Sequence, residues 1–306
     1  METPVTPSKT CIVVAGPTAS GKSDIAVQVA QYFQTAVISA DSRQCYRELR
    51  IGVARPPESL LQQVPHYFIA DRSIHEPVTA AGFEMFALEK AADLFKDNDF
   101  IVLAGGTGLY IKAFCEGLDA VAPPDPKLRE SLQQQYDAQG FDWLKKTVES
   151  ADPLFALHGE MQNPRRMLRA LEVMHTTGHS ILEMHAGTPK PRPFNILSVC
   201  LDMPRPKLYQ RINQRVLQMV EEGLEEEARA LYPYKHLNAL QTVGYKEWFE
   251  YFEGQYTREE TIERVAKHTR HYAKRQITWF KKQQGMHFVE ASFPAVIQTI
   301  IQKLKI

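Results

Sequence analysis

Gly16-Pro17-Thr18-Ala19-Ser20-Gly21-Lys22-Ser23 fits the phosphate-loop pattern: a glycine, four free positions, then Gly-Lys-Ser. The run before it, Cys11-Ile12-Val13-Val14-Ala15, reads as a buried strand. Beyond it, from Asp24 to Phe33, Ile25, Ala26, Val29 and Phe33 recur at helical spacing. Strand, glycine-rich turn and helix thus follow in the order that the motif requires. Gly16 and Gly21 let the backbone curl so that successive N–H groups face phosphate oxygens. The helix N-terminus adds partial positive charge, Lys22 adds a full one, and Ser23 offers a hydroxyl for a magnesium ion, Mg2+. A phosphorylated ligand is expected here.

The loop does not say that this ligand is a nucleoside triphosphate. The candidate for the usual acidic second strand, Phe100-Ile101-Val102-Leu103-Ala104, runs into Gly105-Gly106-Thr107-Gly108. No Asp stands there to hold a magnesium shell. An Asn-Lys-x-Asp guanine reader is also missing. Both absences lean away from ATP hydrolysis.

Working outward, strands and helices alternate from Cys11 to Glu116. Ala36–Ser39 is a strand leading to Asp41, His66–Ile69 a short one, Ala80–Phe95 a helix and Phe100–Ala104 a central strand. Such alternation predicts a parallel sheet with helices on both faces. Ligands in these sheets sit beyond the carboxyl ends of the strands, where Gly16–Ser23, Asp41–Tyr46 and Gly105–Tyr110 all fall. Two proline-rich stretches, Val121–Pro126 and Thr188–Pro193, bracket a helical section, and Phe194–Leu201 rejoins the sheet. The expected fold is α/β: a P-loop-containing parallel sheet flanked by helices, with an inserted helical lobe. The core takes residues 1–122 and 190–306, the lobe 123–189. Lys207–Leu231 and Arg258–Gln284 are expected as long helices.

Composition is that of an ordinary globular protein, with 36 basic and 36 acidic residues in formal balance. Neutrality disfavours a generic nucleic-acid coat, though local patches survive it. No residue from Arg264 to Val289 is acidic, while Arg264, Lys267, Arg270, Lys274, Arg275, Lys281 and Lys282 are basic. Steps of three and four place Arg264, His268, His271, Lys274, Arg275 and Lys282 on one helix face, a candidate polyanion track. Val265, Tyr272 and Trp279 occupy another face, expected to pack inward. Arg165, Arg166 and Arg169 lie on a lobe helix opened by Asn163-Pro164. Two such surfaces suit the phosphates of a folded RNA. The four cysteines are far apart, which fits reduced thiols, and His175, His179 and His185 make a poor zinc set. The start carries no apolar signal segment and no run approaches membrane-spanning length, so a cytoplasmic protein is expected.

Six segments together carry a family. Beside the phosphate loop they are Asp41-Ser42-Arg43-Gln44-Cys45-Tyr46, Gly105-Gly106-Thr107-Gly108-Leu109-Tyr110, Arg169-Ala170-Leu171-Glu172, Gly244-Tyr245-Lys246-Glu247 and Ala273-Lys274-Arg275-Gln276-Ile277-Thr278-Trp279-Phe280. In order, and over nearly the whole chain, the sequence resembles the bacterial tRNA dimethylallyltransferases. The resemblance implies transfer of a dimethylallyl group from dimethylallyl diphosphate to the exocyclic amine of an adenosine. That adenosine stands 3′-adjacent to the anticodon in tRNAs reading codons that begin with U.

The implied roles are these. Gly16, Thr18, Ala19, Ser20, Gly21, Lys22 and Ser23 hold the donor's diphosphate with magnesium, joined by Arg215, with Arg211 as the competing choice. Asp41 is the base and Thr107 a polar contact on the tRNA side. The anticodon stem-loop meets Asp41, Ser42, Arg43, Gln44, Thr107, Arg129, Arg165, Arg166, Arg169, Gly244, Tyr245, Lys246, Lys274 and Arg275. A monomer is expected. Taken alone, Asp41-Ser42 would read as a helix N-cap. The chain departs from the family at Gly52-Val53-Ala54-Arg55, where many members read Gly-Thr-Ala-Lys, which leaves the role of Arg55 open. The rival is a P-loop small-molecule kinase, which shares the loop and lobe but does not need the basic helix.

Overall fold

The computed structural model describes residues 9–119, 121, 125–184 and 187–306. The expected core–lobe boundary at 122–123 and His185 lie outside them. Two compact units result: one runs to Glu116 and resumes from Pro191 to Ile306, the other is Gly117–Lys190.

In chain order the first unit opens with β1 (Thr10–Ala15), α1 (Lys22–Tyr32), β2 (Val37–Ser39), the short α2 (Glu58–Leu61), β3 (His66–Tyr67), α3 (Ala80–Asp97), β4 (Phe100–Gly105) and α4 (Gly108–Glu116). The second unit contributes α5 (Pro126–Ala151), α6 (Pro153–His158) and α7 (Pro164–Thr177). Back in the first unit follow β5 (Asn195–Asp202), α8 (Arg205–Glu221), α9 (Leu224–Leu231), α10 (Tyr245–Phe252), α11 (Arg258–Phe280), β6 (Met286–Glu290) and α12 (Phe293–Leu304).

All strand pairings are parallel, in the order β3-β2-β4-β1-β5-β6. β1 is buried along its whole length, as its apolar run requires. Successive side chains alternate faces: Cys11, Val13 and Ala15 join Phe83, Phe114, Tyr245 and Trp248 on one side. Ile12 and Val14 join Ile25 and Val29 of α1 and Val296 and Ile300 of α12 on the other. Register aligns Ala15 with Gly105 and Ser39 with Ala104, so the loops after β1, β2 and β4 leave one edge of the sheet together.

The second unit has its own core, including Leu132, Leu144, Val148, Phe155, Met167 and Leu171. Its helices begin on side-chain caps: Asp125 accepts from Lys127 and Leu128 N–H, and Asn163 accepts from Arg166 N–H. Gly178, at φ 75°, closes α7.

Two helix expectations need correction. Lys207–Leu231 is not continuous, because Gly223 takes φ 98° and re-aims the chain between α8 and α9. Arg258–Gln284 ends early, at Phe280, before a turn into β6. Strand β6 and helices α10 and α12 were not anticipated. β6 is a half-exposed edge strand without the alternation that betrays a strand in sequence. Among the described residues no helix is long and apolar enough to cross a membrane.

Candidate active site

The phosphate loop turns on Ala19 at φ 64° and Gly21 at φ 87°, both left-handed, and Ser20 N–H donates to the Pro17 carbonyl at 3.3 Å within it. Lys22 opens α1, and its Nζ donates to the Pro17 carbonyl across the loop, at 3.3 Å. Burial lowers its ammonium to about 8, against an upward pull from Asp41, and Arg215 pushes the same way as burial. Ser20 Oγ is buried without a hydrogen-bond partner.

A cavity of about 290 Å³ borders this loop, lined by Gly21, Lys22, Ser23, Asp24, Arg55, Arg211 and Arg215 among others. Arg211 lies against the loop itself: a Cβ built on Gly21 would meet its Nη2 at 3.4 Å. Arg215 has its pKa lowered by burial first and by Arg211 second. Both arginines that competed in the sequence thus border the same cavity.

A narrow crevice, on the side of Lys22 and Ser23 toward the sheet, is lined by Asp41, Gln44, Ala104 and Gly105. Apolar Ala26, Val37, Pro56 and Ile69 complete its walls with His66. Asp41 Oδ1 accepts from the N–H groups of Arg43 (2.9 Å) and Gln44 (3.2 Å), so the capping geometry that its neighbours suggested is present. Thr107 Oγ1 accepts from Ser42 N–H at 3.0 Å and donates to Ser42 Oγ at 3.3 Å, and Thr107 N–H donates to Ala40 O at 3.2 Å. The Asp41 and Gly105 segments are therefore stitched into one surface. Cys45 beside them is no nucleophile, since burial pushes its thiol up to about 12.

Two residues here escaped sequence reasoning. Gln276 of α11 is buried; its Oε1 accepts from Thr18 N–H (2.9 Å) and its Nε2 donates to Gly106 O (2.8 Å). One amide thus clamps the phosphate loop to the loop after β4. Gly106 permits this closeness, since a Cβ there would stand 2.4 Å from Gln276 Nε2. The signal was present: Gln276 shares the inward stripe of Ala273 and Phe280, a polar residue on an apolar face. Tyr272, expected only to pack, has its phenol raised to about 12 by burial first and the Asp41 charge second. The Thr107 hydroxyl pulls it the other way as a hydrogen-bond partner.

The residues expected to meet RNA divide. Lys246, Lys274, Arg275 and Arg165 are exposed. Arg166 is exposed but pairs with Glu160. In the second unit Arg129 makes two hydrogen bonds to Glu172 (2.6 and 2.9 Å) and Arg169 adds a third at 3.0 Å. Tyr245 is fully buried with its hydroxyl on Glu227 at 2.6 Å, and Gly244 is buried beside it, so neither is open to a polyanion. Arg43 turns its Nη1 to the Asn238 and Ala239 carbonyls, and Gln44 its amide to those of Val53 and Ala54. The basic stripe on α11 is also shorter than its sequence suggested. Glu250 of α10 takes Arg264 (2.9 Å) and Glu247 takes His268 (2.6 Å), so the acids missing along α11 come from a neighbouring helix.

The comparisons agree with one another. The family model described as IPP transferase matches residues 44–283. A tRNA dimethylallyltransferase of Cytophaga hutchinsonii is 42% identical over 295 residues, 96% of this chain and 97% of that one. The tRNA dimethylallyltransferase 1 of Bacteroides fragilis is 40% identical, over 92% and 93% of the two chains. Among solved structures, the tRNA isopentenylpyrophosphate transferase of Bacillus halodurans superposes with TM-score 0.70 at 32% identity, covering 97% of this chain and 95% of that one. A eukaryotic dimethylallyltransferase acting on tRNA superposes with TM-score 0.78 at 27% identity, covering 96% and 78%. A phosphate loop joined by Gln276 to an Asp41–Thr107 surface, in a chain matched this completely, belongs to the IPP transferase family.

Proposed function

We propose that this protein is a tRNA dimethylallyltransferase that moves the five-carbon group of dimethylallyl diphosphate onto N6 of the adenosine 3′-adjacent to the anticodon, in tRNAs reading U-starting codons. The observation that carries the reading is that Lys22 and Ser23 border both cavities: the cationic one and the crevice that holds Asp41. A donor whose diphosphate lies among the cations can direct its allylic carbon toward that carboxylate. The apolar Ala26, Val37 and Ile69 suit a dimethylallyl tail.

In the transfer, the allylic C–O bond breaks and its electron pair leaves with the diphosphate. Loop amides, Lys22, Arg211 and Arg215 meet that growing negative charge. The adenine nitrogen forms the new C–N bond and gives up a proton. Asp41 Oδ1 is engaged by two backbone N–H groups, which orients the carboxylate and leaves Oδ2 as the oxygen to receive it. The Thr107–Ser42 hydroxyl pair borders the acceptor side. To arrive there the base must leave its stack, at a cost of a few kcal/mol.

A magnesium ion fits the donor set. Ser23 supplies one hard oxygen beside the cavity, and such an ion takes its remaining ligands from phosphate and water. When bound it would neutralise diphosphate charge. The enzyme is read as a cytoplasmic monomer.

The test is a labelled-donor assay with an unmodified anticodon stem-loop. Label should pass from the prenyl chain of dimethylallyl diphosphate to RNA. Transfer from the γ-phosphate of ATP to a small molecule, with no prenyl transfer, would establish a kinase instead.

A further inference from the structure

The segment Arg50–Arg55 belongs to no helix or strand, yet most of its backbone groups are held. The Glu227 carboxylate of α9 accepts from the N–H groups of Arg50 (3.1 Å), Ile51 (2.9 and 3.1 Å) and Gly52 (2.9 Å). Tyr245 donates its hydroxyl to the same carboxylate at 2.6 Å. Gln44 Nε2 donates to the carbonyls of Val53 (3.2 Å) and Ala54 (3.0 Å). Ala54 N–H donates to Ile51 O and Arg55 N–H to Arg50 O, while Ala54 sits at φ 50°. A left-handed alanine is strained and persists only where its surroundings over-determine it. The product of all this fixing is the placement of Arg55. It borders the cavity beside Gly21, Lys22 and Ser23, with Arg211 and Arg215. One guanidinium N–H goes to the Arg47 carbonyl at 3.2 Å, and a guanidinium has five.

The cavity's charge points the same way. Its lining has four cations, Lys22, Arg55, Arg211 and Arg215, against the single carboxylate of Asp24. Such an excess attracts a multiply charged anion, and a diphosphate ester carries roughly three negative charges at neutral pH.

Resting on the function proposed above, we infer that Arg55 is a further ligand of the donor's diphosphate, held in place by the Glu227 and Gln44 latch. Arginine suits this better than lysine would, because its planar fork can bind two phosphate oxygens at once. Because Gln44 lies in the Asp41 turn, the latch also ties the acceptor-side turn to the donor's cation.

The test uses inorganic pyrophosphate with magnesium as probe, by isothermal titration against the full chain. Arg55→Ala should weaken binding by about 10- to 100-fold and leave tRNA binding unchanged, and Arg55→Lys should recover part of the loss. Glu227→Gln should weaken it in the same direction. Combined with Arg55→Ala it should add nothing, because both changes remove the same contact. Wild-type pyrophosphate affinity in a folded Arg55→Ala protein, checked by circular dichroism, overturns the inference while the prenyl-transfer reading stands. Additive losses in the double variant overturn the latch. A wild-type protein that ignores pyrophosphate overturns both this inference and the diphosphate-donor reading beneath it.

Discussion

Lys22 and Asp41 both line the crevice beside the phosphate loop, and each lends itself to a separate measurement. Asp41→Asn keeps the oxygen that the Arg43 and Gln44 N–H groups need but takes away the proposed base. Single-turnover transfer should slow by roughly a hundredfold or more, with donor and tRNA affinities near wild type. A rate close to wild type would sink the proton-acceptor role. For Lys22 the handle is pH. Burial lowers the ammonium to about 8, so the charged form dominates at neutral pH and disappears as pH rises through 8. If this charge holds the proposed donor's diphosphate, dimethylallyl diphosphate affinity should fall above pH 8, and Lys22→Ala should be weak and lack this fall. The same shift affects stability with the opposite sign. Between about 8 and the ordinary lysine value of 10.5 the unfolded chain holds the extra proton, so this group's contribution to stability rises with pH across that window. The phosphate-loop residues were legible from the sequence because their spacing is their function. Glu227 was not, since the Gly52 backbone it holds lies 175 residues away; Gln276 stood out as a polar residue on an apolar stripe, but its partner Thr18, 258 residues away, did not.

At the scale of elements, α11 serves two purposes on two faces. Its inward stripe, with Ala273, Gln276 and Phe280, packs against the loops of the site, and its outward face presents Lys274 and Arg275 to solvent. The fit is close: a Cβ on Gly108, at the start of α4, would stand 2.4 Å from Trp279 Cδ2, so the helix can seat only over a glycine. If the outward face follows tRNA phosphates, Lys274→Gln with Arg275→Gln should weaken tRNA binding. It should also flatten the salt dependence by roughly 0.7 to 0.9 per lost contact. Pyrophosphate affinity should not change. An unaltered salt slope in a protein with normal thermal melting would return this face to ordinary solvation. The Arg264 end of the stripe is excluded from the test because Glu250 already pairs with it. Periodicity placed those charges correctly on α11, but only the packing of α10 revealed which of them were neutralised.

For the whole molecule, the division into two compact units lets the RNA role proposed for the second be tested apart from the donor site proposed in the first. Glu172 is buried in the second unit and gathers Arg129 and Arg169. Glu172→Ala should loosen the placement of both arginines and weaken tRNA binding. Pyrophosphate affinity, set by the first unit, should stay at its wild-type value; equal loss of both ligands would mean general unfolding instead. The amino-acid sequence alone determined the phosphate loop, the alternation that makes a parallel sheet, the inserted helical section and the family. Each of these is written in local spacing, where periodicity and steric rules act within a few residues. The tertiary structure decided how those segments are used. It brought Gln276 onto Thr18 and Gly106, turned Tyr245 inward, tied Arg43 to the Asn238 carbonyl, and supplied α11 with acids from α10. It also bent the chain at Gly223 into α9, the helix from which Glu227 reaches the Arg50–Gly52 backbone. Hydrogen bonds and charge pairs between distant segments depend on where the sheet and its helices set them down, and no local pattern encodes that meeting.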